Sequence, residues 1–442
     1  MRTALNIRPN AGFSLVEVMI ALAIALILSI GIVSVFSATS RTNRYQEALA
    51  RIQENGRYAA MRLEADIRMQ GAQYCSNRTG RPSTTALMPM WQDRAPTVFA
   101  ADLALPDTGT NSMNSIDTFG AMTTADATAT YGLSTRYFIQ GHNCIGSACT
   151  PAVPTGLPTA GLTANQRVPD SDVLTVRYLR GTGWPINGTG NCVTGGSLTL
   201  APQVGDETIN FVANTPQLAL ISDCQTPSIV PVANFSIASS QLTLGTVLPG
   251  GTPVCAANSE RDVRVFNFSR DFVTVTYYLA FRADDNPDAR ANAGTLRLTP
   301  VLIRRENGAE QELVRGVDRL DFIYGVLDNG GNMRFLDANQ VQTRNGGAIT
   351  CPLKPARVSP FPDNSAVGEP GCLWRSVRRI EASILVNSGD EVGSLDAISL
   401  SYRYRSVNIS TTPTGTLPSG ILAGSHLRRE FIAQSTGRNK MP

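Results

Sequence analysis

An acid at the mouth of an uncharged apolar run is the first place in this chain where residue type and position could do chemistry. Glu17 follows Gly12-Phe13-Ser14-Leu15-Val16, and the stretch from Val18 to Ala38 carries no charge. An unpaired carboxylate in hydrocarbon costs up to a few kcal/mol, so one kept there marks a functional site. Its natural use is to meet a cation where water is scarce. Cleavage between Gly12 and Phe13 would supply one, because the new amine at Phe13 would lie four residues from the carboxylate. Arg2 and Arg8 make the leader before that bond basic.

Other constellations carry less. His142, Cys144 and Cys149 have the donor types of a zinc site. The preferred reading is a small disulfide loop beside a solvated histidine, since an oxidising compartment consumes thiols. Neither His142 nor His426 stands near a Gly-x-Ser-x-Gly elbow, which the chain lacks. The only lysines, Lys354 and Lys440, do not follow phosphate-loop glycines. Asp284, Asn286 and Asp288 alternate like the start of a calcium loop, but Ala289 and Thr295 replace its glycine and its closing glutamate. A turn helped by Pro287 is expected there instead. Asp318 and Asp321 are expected on a solvated strand face. No active site, metal or cofactor is expected, and the chain reads as noncatalytic.

Eight cysteines, Cys75, Cys144, Cys149, Cys192, Cys224, Cys255, Cys351 and Cys372, all follow the apolar run. An even number on one side of a membrane span fits disulfides formed in an oxidising compartment such as the bacterial periplasm. Cys144 with Cys149 and Cys351 with Cys372 are the expected short-range pairs. The balance of 38 basic against 35 acidic residues, +3 net, is too even for a nucleic-acid footprint.

These residues need elements to hold them. The apolar run is long enough, at about 1.5 Å per residue, to cross the roughly 30 Å of a bilayer core as a helix. Helix is expected to continue to about Gln70, roughly 85 Å in all, with Gly71 as its cap. Beyond the span, Tyr45, Leu49, Ile52, Gly56, Ala59, Leu63 and Ile67 recur at spacings of three and four, one stripe that needs a protein surface. Glu47 with Arg51 and Glu64 with Arg68 are favourable i,i+4 pairs. Period-two alternation from Val273 to Phe281, Ile380 to Val386 and Ile398 to Arg405, with a strand from Asp172 to Arg180, predicts antiparallel sheet with one face on a core. The fold class is therefore α+β: a long N-terminal helix, membrane-spanning first and amphipathic later, packed on a β-rich domain. The expected division is a leader at 1–12, the helix at 13–71 and a globular domain at 72–442, with an irregular insertion near 76–169.

At its first residues the chain resembles the type IV pilin and type II secretion pseudopilin family. The resemblance rests on the basic leader, Gly12-Phe13, Ser14, Glu17 and the charge-free span in fixed order. It implies removal of the leader by prepilin peptidase after Gly12, N-methylation of Phe13 and use of Glu17 in filament assembly. Asp172 to Tyr178, Glu312 to Val317 with Leu320, Phe322 and Tyr324-Gly325-Val326, Trp374 to Val386, and Leu427 to Phe431 look like parts of PilW-type minor pilins. That likeness implies the major pilin, other minor pilins and a tip adhesin as partners. It also implies inner-membrane lipid before assembly, and roles in pilus biogenesis, adhesion, twitching motility or DNA uptake. Two alternatives stay open. One is a minor pseudopilin of a type II secretion system. The other is a membrane-tethered periplasmic enzyme or binding protein, including a plain signal peptide cut after Ser37.

Overall fold

The computed structural model describes residues 14–71, 96–101, 130–133, 138–188, 190–222, 227–253, 255, 263–284, 290–291, 295–352, 371–390, 392, 402–405, 417–421, 424 and 426–436. Helix α1 runs unbroken over Leu15–Met69, 55 residues and so about 83 Å. Gly71 follows in the left-handed region at φ +66°, and its N–H donates to the Arg177 carbonyl, 3.0 Å, which ties the helix end to the domain.

Two antiparallel sheets receive the second half of α1. The first contains β1 (Ile139–Ile145), β2 (Ala148–Thr150), β3 (Val173–Leu179), β4 (Phe272–Ala283), β5 (Leu298–Glu306) and β6 (Ala309–Arg315), in the order β6-β5-β4-β3-β1-β2. The second contains β7 (Val317–Leu327), β8 (Met333–Leu336), β9 (Val377–Asn387) and β10 (Arg428–Thr436), in the order β8-β7-β9-β10. The single residue Gly316 hands the chain from β6 to β7. It does so at φ +79°, and a Cβ there would stand 2.5 Å from Asn387 Oδ1, so only glycine fits. One core joins Ile52, Ala59, Leu63 and Ile67 of α1 to Val176, Val275, Leu320, Phe322, Ile380 and Ile384 of the two sheets. The expected helix on antiparallel sheet is the observed architecture.

A third, eight-stranded sheet lies within residues 97–267. Its strands are antiparallel except where Thr97–Val98 runs parallel to Ser228–Ile229. It has its own core of Trp184, Leu198, Phe211, Val230, Leu242 and neighbours. A separate cluster, in which Phe138, Leu179 and Phe272 meet Leu220 and Ile229, fastens it to the first sheet.

Three expectations need correction. Strand β4 has no solvated face: Val275 and Tyr277 look into the helix core, while Tyr278 and Ala280 pack with Cys144, Val173, Val301 and Ile303 on the other side. The hairpin β1–β2 and the chain after it cover that second face, with Val153 and Leu157 packed against it. That segment falls inside the range expected to be an irregular insertion, and its described part extends the first sheet. Second, Tyr402 to Arg405 form no strand ladder, while Ile398 to Ser401 lie outside the described residues. The Tyr404 hydroxyl lies 2.5 Å from Asp321 Oδ2 and 3.0 Å from the Ser383 carbonyl oxygen, so this stretch serves as a cover over β7 and β9. Third, Asp318 and Asp321 are buried. Arg428 pairs with Asp318 from another strand, and Arg319 pairs with Asp321 from two residues away on β7.

Candidate functional site

The head of α1 is closed by its own side chains. Ser14 is the N-cap, its Oγ accepting from the Val16 N–H at 3.3 Å, and its own N–H donates to Glu17 Oε2 at 2.9 Å. This reciprocal capping box sets a negative charge over the exposed N–H groups and the positive end of the helix dipole. The signal stands in the sequence as Ser-x-x-Glu just before an apolar run. The box also defines what Glu17 can still do. One carboxylate oxygen is held by the chain's own backbone, and the group stays exposed at the tip, able to accept from a cation brought to it.

Below this cap the helix is bare. From Leu15 to Phe36 the large apolar side chains are all exposed, Leu15 at 78% and Phe36 at 74%, and the first buried position of α1 is Ala48. Two of its hydroxyls bond back to the helix: Ser29 donates to the Ala25 carbonyl at 2.7 Å and Thr39 to that of Val35 at 2.9 Å. Hydroxyls bonded to the preceding turn present no free donor to hydrocarbon. Gly31 has no atom within 4 Å of the place a Cβ would take, and the surface dips there between Ile27, Leu28, Ile32 and Val35. Among the described residues, α1 is the one helix long and apolar enough to cross a membrane.

The second half is the reverse. Ile52, Gly56, Ala59, Leu63 and Ile67 of the expected stripe are buried, Tyr45 and Leu49 half-buried, and both expected pairs, Glu47–Arg51 at 2.6 Å and Glu64–Arg68, form on the outer face. Gly56 lets Phe431 of β10 lie directly on the helix, since a Cβ would stand 2.2 Å from that ring. Asp66, which an apolar stripe does not include, is a buried carboxylate on the docked face. It accepts from Arg304 Nε at 2.7 Å, from Tyr178 at 3.0 Å and from Tyr277. Burial pushes the Asp66 carboxyl up, but the hydrogen bonds from Arg304 and Tyr277 outweigh it and hold the group below the ordinary aspartate value. Arg304 continues to Glu306 at 2.5 Å, and Glu306 to Arg180 at 2.8 Å. The helix is thus bolted to β3, β4 and β5 by an ionic chain at its far end.

Further buried charges lie around the second sheet. Asp318 accepts from Asn387 Nδ2 at 2.6 Å and Arg428 Nε at 2.7 Å, and Asp321 pairs with Arg319 at 2.6 Å. Asp172 accepts from the N–H groups of Cys144, 3.1 Å, and Phe322, 3.0 Å; burial and the nearby Asp321 charge push its carboxyl well above the usual range. His142 is buried, not solvated as expected. Its Nδ1 lies 3.0 Å from the Pro151 carbonyl oxygen, and burial, with Arg167 and Arg177 nearby, lowers it to about 4.

Cys144–Cys149 and Cys351–Cys372 are joined as disulfides, with Cα separations of 4.0 and 6.0 Å. Cys192–Cys255, 5.9 Å between Cα atoms, closes a loop of 63 residues that short spacing could not suggest. Cys75 and Cys224 lie outside the described residues, as do Gly12 and Phe13 on either side of the expected cleavage. No group of three or more potential metal ligands occurs among the described residues.

A family described as the prokaryotic N-terminal methylation motif matches residues 7–33, the junction of leader and helix together with most of the bare half. No curated protein and no solved structure matches the chain. The chain therefore carries a type IV pilin-like prepilin signal, and a membrane-anchoring helix is consistent with it.

Proposed function

We propose that this chain is a minor pilin, a noncatalytic subunit that prime or cap positions in a type IV pilus would use, in the manner of the PilW type. In this reading prepilin peptidase cuts after Gly12 and Phe13 is N-methylated. The globular part sits in the periplasm while α1 is held in the inner membrane. The subunit then leaves the bilayer to join other minor pilins and the major pilin, in support of adhesion and twitching motility, with a tip adhesin as a further partner.

The observation that carries this is the free half of α1. Its apolar side chains, exposed from Leu15 to Phe36, have no cover among the described residues. Such a surface is stable in lipid or against similar helices, and polymerisation moves it from one to the other. Glu17 supplies the polar step: on leaving lipid it takes the Phe13 amine of a neighbour as its partner, because a buried charge needs one. A minor pseudopilin would share this N-terminus. The PilW-like stretches, which fall on β3, β6, β7, β9 and β10 around the helix-binding core, favour the pilus.

Mass spectrometry of the mature protein from its membrane is expected to find N-methyl-Phe13 at the first position. A chain that keeps Met1 or starts near Ala38 overturns the reading. Glu17→Ala is expected to leave processing intact and to cut incorporation into filaments on the order of tenfold or more, the loss of one buried charge partner.

A further inference from the structure

The turn of α1 that leaves the apolar half carries two exposed arginines, Arg41 and Arg44, with no ion pair among the described residues, and Arg44 also lines a notch between helix and domain. Arg41 and Arg44 fall within two turns of Ala38, the end of the charge-free run. With that run in the hydrocarbon, about 1.5 Å of rise per residue sets Arg41 and Arg44 at headgroup depth on the side of the globular domain. Arg41, Arg44, Ala48 and Arg51 follow at spacings of three, four and three, so they share one face. Arg44 and Arg51 line the notch, about 260 Å³, together with Glu47, Ser388 and Asp390.

The charges in this notch are unevenly committed. Arg51 engages both acids, Glu47 at 2.6 Å and Asp390 at 3.4 Å. With Arg51 drawing both acids to itself, Arg41 and Arg44 stay exposed and make no ion pair among the described residues. We propose that Arg41 and Arg44, with the notch behind them, bind the phosphate of an anionic phospholipid headgroup in the leaflet next to the globular domain. This goes beyond the pilin reading and shares with it only the membrane placement of α1. Arginine presents a planar fork suited to phosphate. The bound lipid would hold the domain against the membrane until extraction strips it.

The test uses the full chain in nanodiscs of phosphatidylcholine with a minority of phosphatidylglycerol. Native mass spectrometry then counts which lipids stay bound. Phosphatidylglycerol is expected to be enriched. An arginine near an anionic surface is worth on the order of fivefold, so Arg41→Gln with Arg44→Gln should lower that enrichment roughly thirtyfold. Arg41→Lys with Arg44→Lys keeps both charges and should hold more of the lipid than the glutamine pair but less than the wild type, which separates charge and fork from folding, and Arg57→Gln, an exposed position further along the docked half, should leave the enrichment unchanged. Equal enrichment in the wild type and the glutamine double variant overturns the proposal. So does an equal loss in Arg57→Gln, or displacement of the lipid by soluble glycerol phosphate. The readout needs no filament: retention of lipid without assembly sinks only the pilin reading, and assembly without retention sinks only this one.

Discussion

The two halves of α1 are one uninterrupted helix, yet they treat charge in opposite ways. The first half keeps a single acid at its tip and satisfies it locally, with the Ser14 N–H and the helix end. The second half buries Asp66 under two tyrosines and an arginine drawn from three strands. A buried charge whose partners are all internal contributes to fold specificity and is costly to disturb. An acid capped only by its own helix holds nothing else in place. Its value depends on what arrives from outside, and the helix surface around it is apolar and uncovered for the same reason.

That contrast can be broken or sharpened by experiment. The largest effect is expected at Asp66. Asp66→Ala leaves Arg304 buried without its main partner and should destabilise the domain by about 3–5 kcal/mol, read by denaturant unfolding of the full chain in detergent, while Glu17→Ala should leave the same midpoint where it is. Equal effects would erase the distinction between the halves.

Next in size is a pH effect inside the docked domain. The histidine titrates at 6.5 when exposed and at about 4 in the fold, because burial opposes its charged form. Between those values the unfolded chain binds the extra proton. The stability tied to a neutral His142 is therefore complete above about pH 6.5 and is lost as pH falls through about 4, some 3 kcal/mol in all. His142→Gln should flatten this limb, and the gap between the two proteins should narrow from about pH 7 to about pH 4.5. Asp172, whose carboxyl is raised by burial, contributes with the opposite sign in both proteins and so drops out of the difference.

The smallest effect compares two glycines of the same helix. Gly56→Ala drives a methyl group into the Phe431 ring and should cost about 1–2 kcal/mol, overpacking outweighing the gain in helix propensity. Gly31→Ala meets nothing within 4 Å among the described residues and should leave the unfolding midpoint unchanged.

Much of the rod was legible beforehand. Period and charge placed its two halves, both outer ion pairs and the Gly71 terminus, since a helix repeats every 3.6 residues whatever it packs on. Two of the disulfides were legible because five and 21 residues of chain keep their ends close. Cys192–Cys255 was not, because only the third sheet folds 63 residues back on themselves. Asp318, Asp321 and His142 were misplaced on the solvent side for a related reason. Polarity in a strand signals water only when nothing else supplies a partner, and here Arg428 and Tyr404 reach Asp318 and Asp321 from 110 and 83 residues away, while the Pro151 carbonyl meets His142 just past the β1–β2 hairpin.

By itself the order of residues determined that this protein begins as an apolar rod with an acid at its head, because hydrophobicity, helical period and the Ser14–Glu17 box are local properties that neighbours in sequence satisfy. Only the tertiary structure decided which charges could be buried and which surface stayed bare. Desolvation is repaid by partners that meet in space, and the second half of α1 found Arg304, Tyr178 and Tyr277 across the sheets while the first half found no cover among the described residues.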